Sequence, residues 1–241
     1  MRHIVFVHGI GNTSFRIAKE FEKNILPETG HMDVEIHTFW WKQLVSKKEN
    51  DIQKKLGLNR TQFFPLSINP REAVETYLIG RIRHLLIGYF GDAVFYMSDS
   101  SKKVKSQLQN VILGIAKQDG QARISIVAHS LGSIIAFDLL SDLAFQKKIR
   151  QKKLKVENLF TVGSPLALFL LRPENKAKKG LPLEGKWVNI YDKRDVIASP
   201  LGAFFPQCKD AKIRVQEANA INVHLRYFSD PEVLNRILRS V

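Results

Sequence analysis

Residues 124–137 read Ile-Ser-Ile-Val-Ala-His-Ser-Leu-Gly-Ser-Ile-Ile-Ala-Phe, two apolar runs that meet at a single serine, Ser130. The first run has strand character and the second reads as an amphipathic helix. A strand that hands over to a helix within so few residues must turn sharply. Such a turn lifts the serine hydroxyl to the C-terminal edge of a sheet and needs small residues two positions to either side. Ala128 and Gly132 occupy those positions. Glycine is the usual residue at the first of them, and alanine is still small enough to pack there. The layout is that of a nucleophile elbow, and it marks Ser130 as a candidate nucleophile.

Two further segments supply what such a serine needs. Ile4-Val5-Phe6-Val7 is an apolar run of strand type that ends directly in His8-Gly9-Ile10-Gly11. Glycine lets a backbone approach a substrate carbonyl closely, and donors that are fixed before charge develops stabilise an oxyanion best. The expected oxyanion donors are the N–H groups of Leu131, directly after the serine, and Ile10. Downstream, Trp187-Val188-Asn189-Ile190-Tyr191 reads as a strand and runs into Asp192-Lys193-Arg194-Asp195-Val196-Ile197. Later still comes Val223-His224-Leu225-Arg226-Tyr227, ahead of a terminal helix signalled by Asp230-Pro231-Glu232. His224 is the candidate base that takes the Ser130 proton and returns it to a leaving group. Asp195 is the candidate acid that holds the imidazole tautomer, with Asp192 in the same loop as its competitor. Asp195 is preferred, because Asp-Val-Ile-Ala-Ser-Pro resembles the Asp-Pro-Val type of turn that follows the acid in many serine hydrolases.

The order Ser130, Asp195, His224 is that of the α/β-hydrolases. The chain resembles α/β-hydrolase-fold lipases and esterases over most of its length. Val-His-Gly-Ile-Gly together with Ala-His-Ser-Leu-Gly is similar to small bacterial lipases that carry alanine at the first elbow position. Several patches also resemble intracellular phospholipase-type DDHD domains. These are His129-Ser130-Leu131-Gly132-Ser133 with Asp138, Val162-Gly163-Ser164-Pro165-Leu166, Asp195 with Ser199-Pro200-Leu201, and His224 through Asp230; Gly91-Asp92-Ala93-Val94-Phe95-Tyr96 matches an upstream aspartate motif. The resemblance implies a serine hydrolase of carboxylic esters, acting through a Ser-Asp-His triad and an acyl-enzyme. It leaves acyl chain and head group open, as well as ester against thioester or amide. A non-catalytic α/β-hydrolase scaffold that binds lipid or protein is the alternative from another class.

No cofactor or metal is expected. His3, His31, His37 and His84 show no spacing or acidic partners suggestive of ligation, and no His-x-x-x-His or Cys-x-x-Cys pair occurs. His129 is expected to face the strand packing, and His8 to hydrogen-bond loop backbone. Cys208, the single cysteine, excludes an internal disulfide and reads as a structural thiol in a reducing compartment. Met1-Arg2-His3 leads straight into the first strand without a signal-peptide pattern, so a cytoplasmic location is expected.

The net charge is +14, clustered at Lys47-Lys48, Lys54-Lys55, Lys102-Lys103, Lys147–Lys155 and Lys176–Lys179. The Lys147–Lys155 run is placed just after the elbow helix, where cations suit a helix C-terminus. Two readings stand: a solvated surface, or a face attracted to an anionic membrane. Nucleic acid is not an expected partner, because aromatic residues do not interleave with the basic runs.

With 241 residues, one domain is expected. Its strands are placed at 4–7, 33–38, 123–128, 156–162 and 186–191, with a further strand near 211–215. Helices are placed at about 13–26, 100–117, 131–145 and 230–239. This alternation predicts an α/β-hydrolase fold, a mostly parallel sheet with helices on both faces. An excursion over about 42–100 is expected to form a helical cap or lid, with the apolar 73–96 run too interrupted by charge to span a bilayer. The Phe39-Trp40-Trp41 cluster either walls the pocket or packs in the core.

Overall fold

Six strands hydrogen-bond in the order β2-β1-β3-β4-β5-β6, all parallel. The computed structural model describes residues 1–9, 14–30, 32–41, 96, 100–170, 180–216, 218–220 and 222–241. Among these, in chain order, lie β1 (Arg2–Val7), α1 (Ser14–Glu28), β2 (Val34–Phe39), α2 (Ser100–Gln118), β3 (Arg123–His129), α3 (Leu131–Leu140) and α4 (Leu143–Lys152). They are followed by β4 (Lys155–Val162), α5 (Leu166–Phe169), β5 (Trp187–Asp192), β6 (Cys208–Ile213), two short 3-10 turns at Val223–Leu225 and Tyr227–Ser229, and α6 (Pro231–Leu238).

The burial of each strand follows its place in the sheet. β3 is buried from Ile124 to His129 and β4 from Asn158 onward, because strands covered by helices on both faces read as unbroken apolar runs. The edge strands β2 and β6 are only partly buried, β2 at Phe39 alone and β6 at Cys208, Ala211 and Ile213. On one face, Ile17, Phe21 and Ile25 of α1 and Val233, Leu234 and Ile237 of α6 join Ile4, Phe6, Val127 and Phe160 in a single core. On the other face, α3 packs on β3 and β1 and is buried at every residue, which its apolar circumference requires. The fold is therefore the expected parallel α/β sheet with helices on both sides.

The expected helix over 131–145 is in fact two helices. Asp142 accepts hydrogen bonds from the backbone N–H groups of Ala144 and Phe145, at 2.9 and 3.1 Å, and so starts α4 as its N-cap. The basic run consequently does not sit at the C-terminus of the elbow helix. It lies in α4, whose last turn holds Arg150 and Lys152, and it continues through the left-handed C-cap Lys153 into β4. The last strand begins earlier than expected, at Cys208 rather than near Ala211.

The chain divides into two compact units, Met1–Trp40 with Lys102–Val241, and Trp41–Ser101. The cap placed at about 42–100, with its apolar 73–96 run, lies outside the described residues apart from the buried Tyr96 and Ser100, the first residue of α2. Lys47, Lys48, Lys54, Lys55 and Lys176–Lys179 also lie outside them. Among the described residues, no helix is long and apolar enough to cross a membrane.

Candidate active site

The strand order reverses direction at β1, with β2 on one side and β3 on the other. In open parallel sheets the crevice beyond the strand C-termini at such a point is where sites form. Ser130 follows β3 there, beside His8 and Gly9 at the end of β1. It holds φ 54° and ψ −128°, a conformation that L-residues rarely adopt. The turn is wedged between backbones that tolerate no side chain. A Cβ on Gly132 would lie 2.2 Å from the carbonyl oxygen of Val7, and one on Gly9 would lie 2.6 Å from Cβ of Ser130. Small residues at these positions are what allow the elbow to press against the end of β1. Below it, the Ser133 hydroxyl donates to the Ser130 carbonyl and lies 2.6 Å from Ser164 Oγ, tying the elbow to the turn after β4.

His224, in the first 3-10 turn after β6, places Nε2 2.9 Å from Ser130 Oγ and Nδ1 2.8 Å from Asp195 Oδ2. The structure thus brings Ser130, His224 and Asp195 into one chain of hydrogen bonds. Asp192 is committed elsewhere. Its carboxylate accepts from the Arg194 backbone and guanidinium and from the Val215 backbone at 2.8 Å, so it anchors the loop to the segment after β6.

Asp195 is almost fully buried, which alone would raise its pKa. His224 and hydrogen bonds from Ile197 N–H and Tyr227 O–H reverse that effect and hold its carboxyl below the usual carboxylate range. Tyr227 was not singled out from the sequence as a site residue. Its hydroxyl donates to Asp195 Oδ2 at 2.9 Å and accepts from Asp192 N–H at 3.0 Å, bridging the two aspartates. Burial, and then Asp195, push the Tyr227 phenol pKa up, so it stays a proton donor. His129 is buried as expected, and it also makes a specific contact. Its Nε2–H donates to the His224 carbonyl at 2.9 Å, clamping the loop that carries the base. Burial and neighbouring His224 push the His129 pKa down to about 3, so the ring is neutral. His8 Nδ1 bonds the Gly9 carbonyl at 2.7 Å, and its ring packs 5.3 Å from Trp40, which also stacks on Phe15.

Leu131 opens α3, where the first N–H groups of a helix have no intrahelical acceptor and point outward past the serine. Ile10 lies outside the described residues. Cys208 is buried at the start of β6. Burial and Asp210 push its thiol pKa up, which suits a structural role.

Gly163, directly after β4, was also unassigned. It holds φ 58°, and a Cβ there would meet Tyr227 Cε2 at 2.8 Å and both Asp195 Oδ2 and His224 Cε1 at 3.3 Å. Gly163→Ala is expected to cost about 1–2 kcal/mol in the left-handed region. It is also expected to displace the base and acid enough to lower kcat/KM about 100-fold. Thermal melting and ester turnover check this, and wild-type turnover would count against it.

The sheet gives His3 and His37 neighbours that their places in the sequence do not suggest. Pairing of β1 with β2 sets His3 opposite Glu35, two residues before His37, and the two rings approach with Nδ1 of His3 3.1 Å from Nε2 of His37. Asp119 reaches His3 Nε2 at 3.3 Å. Both histidines therefore have the acidic neighbours that their spacing in the sequence did not suggest.

Comparison with known proteins agrees with this architecture. A family model described as an alpha/beta hydrolase of unknown function (DUF900) matches residues 86–165, a span that includes β3, Ser130 and β4. A Saccharomyces cerevisiae protein described as a probable mitochondrial phospholipase is 38% identical over 85 residues, 34% of this chain and 11% of that protein. The chain thus matches only about a tenth of the length of that curated relative. An alpha-beta serine hydrolase homologue from Coxiella burnetii superposes with a TM-score of 0.51 at 13% identity, covering 98% of this chain and 85% of that one. A Lactobacillus plantarum protein assigned as a cell surface hydrolase superposes with a TM-score of 0.50 at 12% identity, covering 99% and 88%.

Proposed function

This chain has the α/β-hydrolase fold, and from that premise we propose that it hydrolyses carboxylic esters through an acyl-enzyme on Ser130. The observation that carries the reading is the relay Ser130 Oγ to His224 Nε2 to Asp195 Oδ2, with links of 2.9 and 2.8 Å. His224 takes the Ser130 proton as Oγ attacks the acyl carbonyl. The Leu131 and Ile10 N–H groups receive the negative charge on the carbonyl oxygen. Collapse of the tetrahedral intermediate breaks the ester C–O bond, and His224 passes the proton to the departing alcohol. Water then repeats the sequence on the acyl-enzyme, releasing the acid and restoring Ser130. Asp195 stays ionised, holding Nδ1–H and balancing the imidazolium.

Lipid acyl esters are the favoured substrate class. The relative described as a phospholipase supports this, as do three exposed apolar side chains in segments that follow strand C-termini. These are Phe15 after β1, Leu168 after β4 and Val196 after β5, the last 87% exposed beside Asp195. Exposed apolar side chains after the strand C-termini suit a water–lipid boundary, and the basic run of α4 suits an anionic one. The cytoplasmic location belongs to the same proposal.

The test is labelling with a fluorophosphonate followed by peptide mapping, together with turnover of p-nitrophenyl esters and acyl thioesters of graded chain length. Label on Ser130 and hydrolysis of oxygen esters are expected. Thioester turnover alone would move the substrate class, and labelling that is absent or survives in Ser130→Ala would reject the reading in favour of a binding scaffold. Co-sedimentation with anionic vesicles is expected at low salt and is expected to fade at high salt, as exposed charges are screened. Protein left in the supernatant at low salt would remove the membrane and leave a water-soluble ester.

A further inference from the structure

At the end of the sheet opposite Ser130, three potential ligand atoms converge. His3 Nδ1, His37 Nε2 and Glu35 Oε2 form a triangle with edges of 3.1, 3.5 and 3.7 Å. We propose that His3, Glu35 and His37 form a three-ligand site for a divalent transition-metal ion, Zn2+ by its donor set. A tetrahedral zinc with Zn–N distances of about 2.0–2.1 Å sets its ligand atoms about 3.3 Å apart, the mean scale of this triangle. The ligands come from two hydrogen-bonded strands. Side chains at i and i+2 share a face, so Glu35 and His37 flank the neighbouring His3.

The surroundings fit the same ion. Asp119 Oδ2 lies 3.3 Å from the remaining ring nitrogen of His3 and also takes the N-terminal ammonium at 3.1 Å. A carboxylate on the far nitrogen fixes the Nε2–H tautomer and turns the Nδ1 lone pair toward Glu35 and His37, as outer partners of metal-bound histidines do. His3 is buried, His37 is half-buried and the Glu35 side chain is 54% exposed, which leaves solvent access for the ion and for a fourth, water ligand. The ion would clip edge strand β2 to β1. Ile124, the register partner of His3 on β3, is six residues from Ser130, so this site stands roughly 20 Å from the elbow at about 3.3 Å per residue. At that distance it takes no part in the chemistry at Ser130.

Calorimetric titration of Zn2+ into the chelator-treated full chain, without a polyhistidine tag, is the test. One equivalent is expected to bind. Asp119→Asn is expected to weaken it about 10- to 100-fold, and Glu35→Gln or His37→Ala to weaken it more. Co2+ is expected to give the visible absorption of a four-coordinate centre in the wild type and to lose it in the same variants. Glu35 is exposed, so Glu35→Gln is expected to melt like the wild type in chelator and to differ only when metal is present. A wild type that binds no stoichiometric Zn2+, or binding unchanged in both Glu35→Gln and His37→Ala, would overturn the site and leave a His37-to-His3 hydrogen bond in its place.

Discussion

Ser130→Ala is expected to lower ester turnover about 10⁶-fold, the scale seen when a triad member is removed, because the groups act as one unit. The rate left behind reports what the oxyanion donors and substrate binding contribute without a nucleophile. The backbone adds a second expectation that chemistry alone would not. Ser130 sits at φ 54° and ψ −128°, a conformation that costs a non-glycine residue about 1–3 kcal/mol. Alanine leaves that cost in place and glycine relieves it. Ser130→Gly is therefore expected to be as inactive as Ser130→Ala yet to melt higher than the wild type, by about 2–4 °C per kcal/mol recovered. Parallel turnover and melting curves on the two variants check both halves. Equal melting temperatures would mean that the elbow stores no strain.

The two aspartates of the loop after β5 are expected to separate cleanly. Asp195→Asn preserves the shape of the side chain but favours the wrong imidazole tautomer, and about a 10⁴-fold loss of turnover is expected with the fold retained. Asp192→Asn removes the anionic partner of Arg194, whose guanidinium lies 2.6 Å from it and whose side chain remains 27% exposed. Partial hydration softens that loss to about 1–3 kcal/mol of stability, and turnover is expected to stay within about tenfold of wild type. Denaturant melts and steady-state kinetics on both variants distinguish the roles. A larger kinetic loss from Asp192→Asn would reverse the assignment.

The elbow, its small neighbours and the pairing of Asp195 rather than Asp192 with His224 could be read from the sequence, because each leaves a local signature: a change of period, a glycine, a turn. The break between α3 and α4 left one as well, in Ser141-Asp142-Leu143. The apolar spacing simply ran on past it, and a capping aspartate outweighs such spacing when its carboxylate finds two backbone donors. Tyr227 and Gly163 lie in patches that carry the family resemblance, but nothing local in them gave either a role. What makes them matter is contact between segments thirty or more residues apart, which only the assembled sheet creates. The meeting of His3 with Glu35 and His37 is of the same kind. Alternation along β2 puts Glu35 and His37 on one face, but the register against β1 that brings in His3 is a property of pairing.

The strand order also bears on how this molecule comes into being. β1 and β2 are made early and can pair at once, yet the other edge of β1 belongs to β3, which follows about a hundred residues later. At about 5–20 residues per second, a ribosome leaves that edge, Ile4-Val5-Phe6-Val7, without its partner for roughly 5–20 seconds. An apolar strand with a bare row of amide and carbonyl groups invites pairing with whatever chain is near. A strand that is flanked on both sides in the finished sheet is thus the most adhesive part of the nascent one. Slowing synthesis between β2 and β3 would lengthen that exposure without changing a residue of the product.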